Sequence, residues 1–173
     1  MLTQRVAWLV GASSGIGRAL AFALAAEGWH VAISARRAES LQAMQTKNAL
    51  LIPYPLDVTD LESLQTAAAA ITRDIGAIDL CILNAGDYTP MPLTDFSIDL
   101  FRKLCNVNYL GVVNGLAAIL PLMLARGSGQ VLLTASIAGY RGLPKSAPYS
   151  ASKAAVINLA EALHVELKAK GVL

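Results

Sequence analysis

Tyr149 and Lys153 are the residues whose types and spacing most directly suggest chemistry in this sequence. Being four positions apart, they would share one face of a helix predicted from about Tyr149 to Lys170. Tyrosine has a reference pKa of about 10, which is too high for efficient proton exchange near neutral pH. A nearby ammonium group favours the phenolate, so the pair could act as a general acid or base. The pattern is common by chance, and support from other positions is needed.

Two further polar residues stand where a site could form. Ser136 follows a predicted strand, Gln130–Thr134, and so lies at the carboxyl edge of a sheet, where open α/β folds bind ligands. Its hydroxyl could hold a substrate carbonyl oxygen. Asn108 falls inside a predicted helix over Ile98–Arg126, where asparagine is mildly unfavourable. An asparagine at this position could make a functional polar contact, or it could simply lie on the protein surface.

A glycine-rich segment follows the first predicted strand, Val6–Val10, and opens a predicted helix at Gly15–Glu27. Gly11 permits a tight turn, and Gly17 lets the helix pack closely on the strand. The helix N-terminus offers free N–H groups and a partial positive charge to phosphates. This context predicts a dinucleotide-binding loop rather than an ordinary turn. The predicted contacts are Gly11, Ser13, Ser14, Gly15, Ile16 and Gly17.

The residues after the second predicted strand indicate which nucleotide is preferred. An NAD site would place a carboxylate there for the ribose 2′-hydroxyl, but this chain has Arg36 and Arg37. Two guanidinium groups could pair with a 2′-phosphate, which predicts NADP (NADPH) over NAD. The alternative is two solvated surface arginines. Ser14 is neutral where a basic residue would add another phosphate contact.

Strand-like and helical segments alternate along the whole chain, which predicts one α/β domain over residues 1–173. The pattern favours a Rossmann-type doubly wound parallel sheet in the order 3-2-1-4-5, with right-handed crossovers. We expect Gly28 to end the first helix, and Asp60 and Ser97 to cap two others. The remaining strand predictions are His30–Ala35, Leu50–Leu56 and Ile78–Leu83. The remaining helix predictions are Glu39–Thr46 and Asp60–Ile75.

Composition excludes several classes of protein. Hydrophobic residues make up 55% of the chain and charged residues 15%, which excludes a disordered chain. The net charge of +2 without a basic stripe argues against nucleic acid as a partner. No carboxylates are paired, and His30 and His164 belong to no ligand cluster, so we predict no metal. Cys81 and Cys105 are expected to be buried free thiols, which favours a reducing compartment.

The N-terminal apolar run resembles a secretion signal only faintly, because it passes directly into the glycine-rich loop, and we interpret it as a strand. The apolar stretch Leu116–Ala125 is too short to span a bilayer. We therefore expect no membrane association and a cytoplasmic location.

Together these motifs resemble the compact single-domain branch of the short-chain dehydrogenase/reductase (SDR) family, over essentially the whole chain. The matching cofactor positions are Gly11, Gly15 and Gly17 in the loop, the pair Asp57-Val58 that contacts adenine, and Asn84-Ala85-Gly86 after the fourth strand. The matching catalytic positions are Asn108, Ser136, Tyr149 and Lys153.

The resemblance implies hydride transfer between the nicotinamide and a carbonyl or secondary alcohol carbon. It implies that Tyr149 is the general acid or base and that Ser136 orients the carbonyl oxygen. Lys153 would favour the Tyr149 phenolate and bind the nicotinamide ribose, and Asn108 would hold a water in a proton relay behind Lys153. The family also implies a homodimer or homotetramer, assembled through the last helix and the long helix before it.

The sequence departs from the family pattern in three places. Val10 and Leu83 replace the usual Thr and Asn, which could weaken a brace of the glycine-rich loop and a tie between strands. The chain also ends at Leu173, where the family continues into two more strands and a lid. We therefore expect a C-terminally incomplete domain, a fifth strand with an open edge, and a substrate pocket that lacks one wall.

Two other classes of function compete with the oxidoreductase. A non-catalytic, truncated dinucleotide-binding module would bind the cofactor without oxidising it in the presence of a carbonyl compound. A methyltransferase with the same sheet would not need Tyr149 and Lys153, and S-adenosylmethionine would compete with its cofactor. The segment holding Tyr88, Pro90, Met91 and Pro92 could border the substrate pocket or be a plain loop.

Overall fold

The computed structural model describes residues 4–173, which form a three-layer α/β domain around one parallel sheet. The sheet has five strands in the order β3-β2-β1-β4-β5, so the predicted order and fold class are confirmed. The strands are β1 (Val6–Val10), β2 (His30–Ser34), β3 (Leu51–Pro53), β4 (Leu80–Leu83) and β5 (Gln130–Leu133).

Strands β1 and β4 are apolar at every position because helices cover both faces of the sheet. All five residues of β1 are buried, and they pair with β2 on one side and β4 on the other. Trp8 is fully buried, and its indole N–H donates to the Ser34 hydroxyl of β2 over 3.0 Å. This parallel pairing places the carboxyl ends of β1, β2 and β4 side by side.

Residues 4–173 contain seven α-helices, five before β5 and two after it. They are α1 (Gly15–Ala26), α2 (Ala38–Gln45), α3 (Leu61–Asp74), α4 (Ile98–Cys105), α5 (Gly111–Arg126), α6 (Ile137–Tyr140) and α7 (Ala147–Lys168). The core on one face of the sheet includes side chains of α1 and α2, such as Ala21 and Leu41. The core on the other face includes side chains of α3, α5 and α7, such as Ile71, Ile119 and Val156.

The helix caps follow the predictions. The Asp60 carboxylate accepts from the backbone N–H groups of Glu62 and Ser63, and the Ser97 hydroxyl accepts from Leu100. Gly28 has a φ of 79° directly after the first helix. Helix α7 begins two residues earlier than predicted, with Pro148 in its first turn, where a missing N–H costs nothing.

The end of the third strand was predicted wrongly, whereas the long helix was predicted correctly except for one turn within it. The third strand ends at Pro53 rather than Leu56, although the N–H groups of Tyr54 and Leu56 still donate to the Ile33 and Ala35 carbonyls beyond that point. Pro53 and Pro55 alternate with these donors on the free edge of the sheet, where no ladder N–H is needed. The helix predicted over Ile98–Arg126 is continuous but contains a π-helical turn at Asn106–Leu110. The spacing of apolar residues along the sequence is too similar in an α-helix and in a helix with one π-helical turn to tell the two apart.

The edge of the sheet at β5 also differs from expectation. Rather than lying wholly open, this edge begins to pair with Val172, which bridges Gly129 in parallel. The N–H of Val131 donates to the Leu173 carbonyl over 2.7 Å, and the N–H of Leu173 donates to the Gly129 carbonyl over 3.0 Å. Further along β5, the side chain of Leu132 remains exposed.

The uninterrupted helical run from Ile98 to Arg126 is 29 residues long, with a mean hydropathy of 1.7 over its most apolar window. By length and composition alone it could cross a membrane, which the shorter stretch considered from sequence could not. It is the one such helix among residues 4–173. Leu116, Ile119 and Met123 on this run are buried in the core, which accounts for much of its apolar character.

Candidate active site

A cavity of about 610 Å³ opens at the carboxyl ends of the central strands. It brings together ten of the predicted cofactor residues: Gly11, Ser13, Ser14, Arg36, Arg37, Asp57, Val58, Asn84, Ala85 and Gly86. Four lining residues were not predicted: Ala35, Leu56, Asp87 and Val107. All four directly adjoin predicted site residues in the sequence, which is the signal that could have found them.

The glycine-rich loop is shaped by two close backbone approaches. Gly11 has a φ of 93°, and a Cβ there would lie 2.5 Å from the backbone nitrogen of Ala85. A Cβ on Gly17 would overlap the carbonyl oxygen of Gly11 and lie 2.7 Å from the Asn84 side chain. Asn84 in turn donates to the Gly11 carbonyl over 3.0 Å. The loop is therefore held against the end of β4 only if both positions are glycine.

The N-terminus of α1 faces this loop. The Ser14 side chain makes no capping hydrogen bond, so no capping side chain satisfies the first N–H groups of the helix. Gly15 and Ile16 form its first turn, and Ile16 is 72% exposed. Gly15, Ile16 and Gly17 lie beside the cavity rather than in its lining, and so do Tyr149 and Lys153.

Arg36 and Arg37 both line the cavity, but their surroundings differ. The Arg37 guanidinium donates to the Ser13 hydroxyl of the glycine-rich loop over 3.2 Å. Hydrogen bonding from the Thr59 backbone lowers the pKa of Asp57, with smaller contributions from the Thr59 hydroxyl and the positive charge of Arg36. The positive charge of Arg36 also contributes to the lowered pKa of Asp87, whereas Arg37 is hydrogen-bonded to the loop that would hold phosphates.

Lys153 is buried beside the end of β5. Its ammonium group donates to the main-chain carbonyl of Thr134 over 2.7 Å, and burial lowers its pKa. The nitrogen lies 6.0 Å from the centre of the Tyr149 ring. A Cβ on Gly86 would lie 3.6 Å from this nitrogen, so the lysine head reaches the Asn84-Ala85-Gly86 segment.

Asn108 is fully buried within the π-helical turn, which excludes the surface alternative. Its amide donates to the Asp87 carbonyl over 2.9 Å and to the Ser152 hydroxyl over 3.1 Å, and it accepts from the Asp87 N–H over 2.7 Å. Ser152 donates to the Tyr149 carbonyl over 2.7 Å. Because both amide N–H groups are engaged, the implied water relay would have to use an oxygen of Asn108.

Ser136 caps the short helix α6. Its hydroxyl oxygen accepts from the Ala138 backbone N–H over 3.2 Å, so its hydrogen can still be donated to a substrate oxygen. Gly139 of this helix packs against the Lys153 backbone, where a Cβ would lie 2.8 Å from the Lys153 carbonyl. This packing brings the turn after β5 next to the first turns of α7.

Tyr149 is half-buried and meets Tyr88 in an edge-to-face contact, with ring centres 5.1 Å apart and planes at 76°. The Tyr88 hydroxyl lies 3.3 Å from that of Ser146. Tyr88 thus borders the same corner as Tyr149, whereas Pro90 is exposed and Met91 is buried. None of Tyr88, Pro90, Met91 and Pro92 lines the cavity, and Tyr88 is the one of the four whose ring contacts the Tyr149 ring.

The remaining titratable candidates do not add a second site. Among residues 4–173, no group of three or more His, Cys, Asp or Glu side chains could hold a metal ion. Both cysteines are free, as predicted, and burial raises the pKa of Cys81. Cys105 is only half-buried, against the expectation, because it lies at the end of α4 rather than in the sheet.

The replacement of the usual Asn by Leu83 does not leave the strands untied. Thr134 donates from its hydroxyl to the Asn84 side chain over 3.1 Å, and Asn84 donates to Gly11, so one asparagine links the ends of three strands. Leu83 instead fills the space beside Gly115, where a Cβ would lie 2.6 Å from its side chain.

This sheet order, with a glycine-rich loop and a Tyr-Lys pair at its carboxyl edge, defines a Rossmann-type dinucleotide-binding domain. The sequence model described as "short chain dehydrogenase" matches residues 5–173, and the chain belongs to this family.

The similar proteins include dehydrogenase/reductase SDR family member 7 of Mus musculus, 37% identical over 174 residues. This match takes in 96% of the present chain and 52% of the mouse protein. An uncharacterized oxidoreductase of Listeria monocytogenes is 35% identical over 98% of the chain and 70% of its own length. The chain thus spans about half the length of the mouse relative.

Solved structures agree with the fold. A short-chain dehydrogenase from Streptomyces avermitilis superposes with a TM-score of 0.93 at 33% identity, over 99% of this chain and 64% of that one. A variant of actinorhodin polyketide ketoreductase with NADPH superposes with a TM-score of 0.92 at 30% identity, over 98% and 67%.

Proposed function

We propose that this chain carries the cofactor site and the catalytic residues of an NADP-dependent oxidoreductase. Hydride would move between the nicotinamide and a small-molecule carbonyl compound or secondary alcohol. The observation that carries the proposal is the convergence of Tyr149, Lys153, Ser136 and Asn108 beside the cavity lined by the glycine-rich loop.

The residues of the cavity fit a dinucleotide. The backbone of the glycine-rich loop is open at Gly15, where no heavy atom would lie within 4 Å of an added Cβ. The first N–H groups of α1 are not capped by a side chain, so they could bind a diphosphate. Asp57 and Val58 would border the adenine, and Asn84, Ala85 and Gly86 would border the ribose on the nicotinamide side.

When bound, the nicotinamide supplies or accepts the hydride. Ser136 would donate its free hydroxyl hydrogen to the substrate oxygen and hold it near Tyr149. Tyr149 would give its phenolic proton to that oxygen in reduction, or remove the proton in oxidation. The Lys153 ammonium would favour the phenolate, and it is fixed in place by the Thr134 carbonyl. Asn108 would fix the first turn of α7 through Ser152.

The preference for NADP over NAD is part of the proposal. It is supported by Arg37, which is already bonded to Ser13 at the edge of the cavity, and by the lack of a carboxylate directly after β2. Among the solved relatives, the ketoreductase is described with NADPH and ElxO with NADP bound. Pairing with the 2′-phosphate of NADP would give Arg37 a function at this position.

We also propose a homodimer or homotetramer and a cytoplasmic location. The assembly is supported by exposed apolar side chains on the long helix, among them Ile98, Leu110 and Leu122. The location is supported by two free cysteines, since reduced thiols are typical of the cytoplasm.

The test compares Tyr149→Phe with the unchanged chain. NADPH and NADH affinities would be measured by titration, followed by NADPH oxidation with a panel of aldehydes and ketones. We expect Tyr149→Phe to bind NADPH normally but to lose about 10²–10⁴-fold in turnover. Tyr54→Phe, at a half-buried tyrosine whose hydroxyl donates to Asp74, is the control. Cofactor binding without turnover by the unchanged chain would support the non-catalytic module instead.

A further inference from the structure

We infer that Tyr88 forms an aromatic wall of the substrate site, and that it selects carbonyl compounds with a flat aromatic group next to the reacting carbon. This inference rests on the proposed function, because it places the substrate beside Tyr149. It concerns which substrates enter, and not the hydride transfer itself.

The first observation is the geometry of two rings. Tyr88 and Tyr149 lie with ring centres 5.1 Å apart and planes at 76°, so the two rings form a corner. A substrate whose oxygen reaches Tyr149 must place its substituents next to this corner. Aromatic rings prefer edge-to-face and offset neighbours, so a flat ring would gain contacts here that a bulky saturated ring would not.

The second observation is that Tyr88 remains 52% exposed although the protein holds it at both ends. At the ring end, its hydroxyl lies 3.3 Å from the Ser146 hydroxyl. At the backbone end, its N–H donates to the Asp87 carboxylate over 2.8 Å, and Lys103 pairs with the same carboxylate over 2.7 Å. Hydrogen bonds from Asn108 fix the Asp87 main chain.

An exposed aromatic side chain with this many anchors is a preformed contact surface. A ligand that packs on it does not have to order the ring first, so less conformational entropy is lost on binding. An unanchored surface tyrosine would lack this advantage.

The third observation is a strained residue that supports the anchor. Lys145 has a φ of 60°, the one positive φ of a non-glycine residue among residues 4–173. Its carbonyl accepts from the Met91 N–H over 2.8 Å, and the next residue is Ser146, which contacts Tyr88. Such strain persists where the surrounding structure imposes it, often at ligand sites. Here it joins the segment after β4 to the segment before α7.

The test uses acetophenone and cyclohexyl methyl ketone, which differ mainly in the flatness of one ring. Each ketone would be titrated calorimetrically into the full chain saturated with NADP⁺, a state in which no reduction can occur. We expect acetophenone to bind about five- to tenfold more tightly, and Tyr88→Ala to abolish this difference. Tyr88→Phe should keep most of it, because the ring remains.

Leu93→Ala is the matched control, since Leu93 lies in the same segment and is 87% exposed. It should leave the ratio of the two affinities unchanged. Equal affinities in the unchanged chain, or a ratio that survives Tyr88→Ala, would overturn the inference. Binding of neither ketone to a chain that does bind NADP⁺ would also overturn it. Failure to bind NADP⁺ at all would instead reject the proposed function.

Discussion

The ammonium group of Lys153 is bonded to the main-chain carbonyl of Thr134, 2.7 Å away at the end of β5. This contact fixes a residue of α7 against the carboxyl edge of the sheet, so the catalytic candidates on the helix and after the strand share one corner. It also buries the lysine head, and burial lowers the pKa of Lys153 from its ordinary value of 10.5.

The lowered pKa of Lys153 predicts a pH-dependent stability. Below the folded-state pKa, both states are protonated and the cost of burying the charge is fully present. Between that pKa and 10.5, the unfolded chain binds more protons than the folded chain, so the free energy of unfolding rises with pH. Lys153→Met lacks this rise, and the stability difference between the unchanged chain and this variant should therefore grow in favour of the unchanged chain.

Denaturant unfolding at several pH values up to about 10 would measure this difference. Lys47→Met, at an exposed lysine, is the control for removing one positive charge. A difference between the unchanged chain and Lys153→Met that stays constant across the pH range would contradict the argument.

The contact between Lys153 and Thr134 is a feature of the site that could not be predicted from the sequence. The fold was predictable because β1 is apolar at every position, as a strand covered on both faces must be, and because the glycine-rich loop follows it. The candidate residues were found from their types and spacing. Their partners were not, because Thr134 and Ser152 meet Lys153 and Asn108 only through the packing of α7 against the sheet and the long helix.

The local errors have similar causes. The apolar period over Ile98–Arg126 is the same for an α-helix with or without a π-helical turn, and only a polar Asn108 in an apolar run hinted at one. The predicted end of β3 at Leu56 reflects hydrogen bonding that does continue, because the N–H groups of Tyr54 and Leu56 donate to Ile33 and Ala35 beyond Pro53.

Gly17→Ala should damage the cofactor loop. The new Cβ would overlap the Gly11 carbonyl and lie 2.7 Å from the Asn84 side chain, so the loop or α1 must shift. We expect a loss of about 1–3 kcal/mol in the free energy of unfolding and a large loss of NADPH affinity, measured by chemical unfolding and by titration. Gly142→Ala adds the same methyl group where nothing lies within 4 Å, and should change neither quantity.

Arg37→Ala should reduce the preference for NADPH over NADH. Hydrogen bonds to charged groups contribute about 1.5–3 kcal/mol, so the ratio of the two dissociation constants should fall about tenfold or more. The Ser13→Ala variant frees the Arg37 side chain without removing it and should produce a smaller change. Arg102→Ala, on the exposed face of α4, is the control. An unchanged ratio in Arg37→Ala would show that Arg37 does not contact the 2′-phosphate.

Asn108 should be coupled energetically to Ser152. Asn108→Ala removes three hydrogen bonds and leaves the part-buried N–H and carbonyl of Asp87 without these partners, while Ser152 keeps its bond to Tyr149, so we expect a loss of about 2–4 kcal/mol in unfolding free energy. Ser152→Ala should cost about 1 kcal/mol, and the double variant should cost at least about 0.5 kcal/mol less than the sum of the two.

Asn114→Ala provides the comparison, because Asn114 follows on α5 and makes one side-chain hydrogen bond, to the Val58 carbonyl over 3.0 Å. Its effect should add to that of Ser152→Ala, since the two share no partner. If the stability losses of Asn108→Ala and Ser152→Ala also added without coupling, the first turn of α7 would not depend on the buried Asn108 amide. The role of Asn108 in positioning Tyr149 would then have to be abandoned.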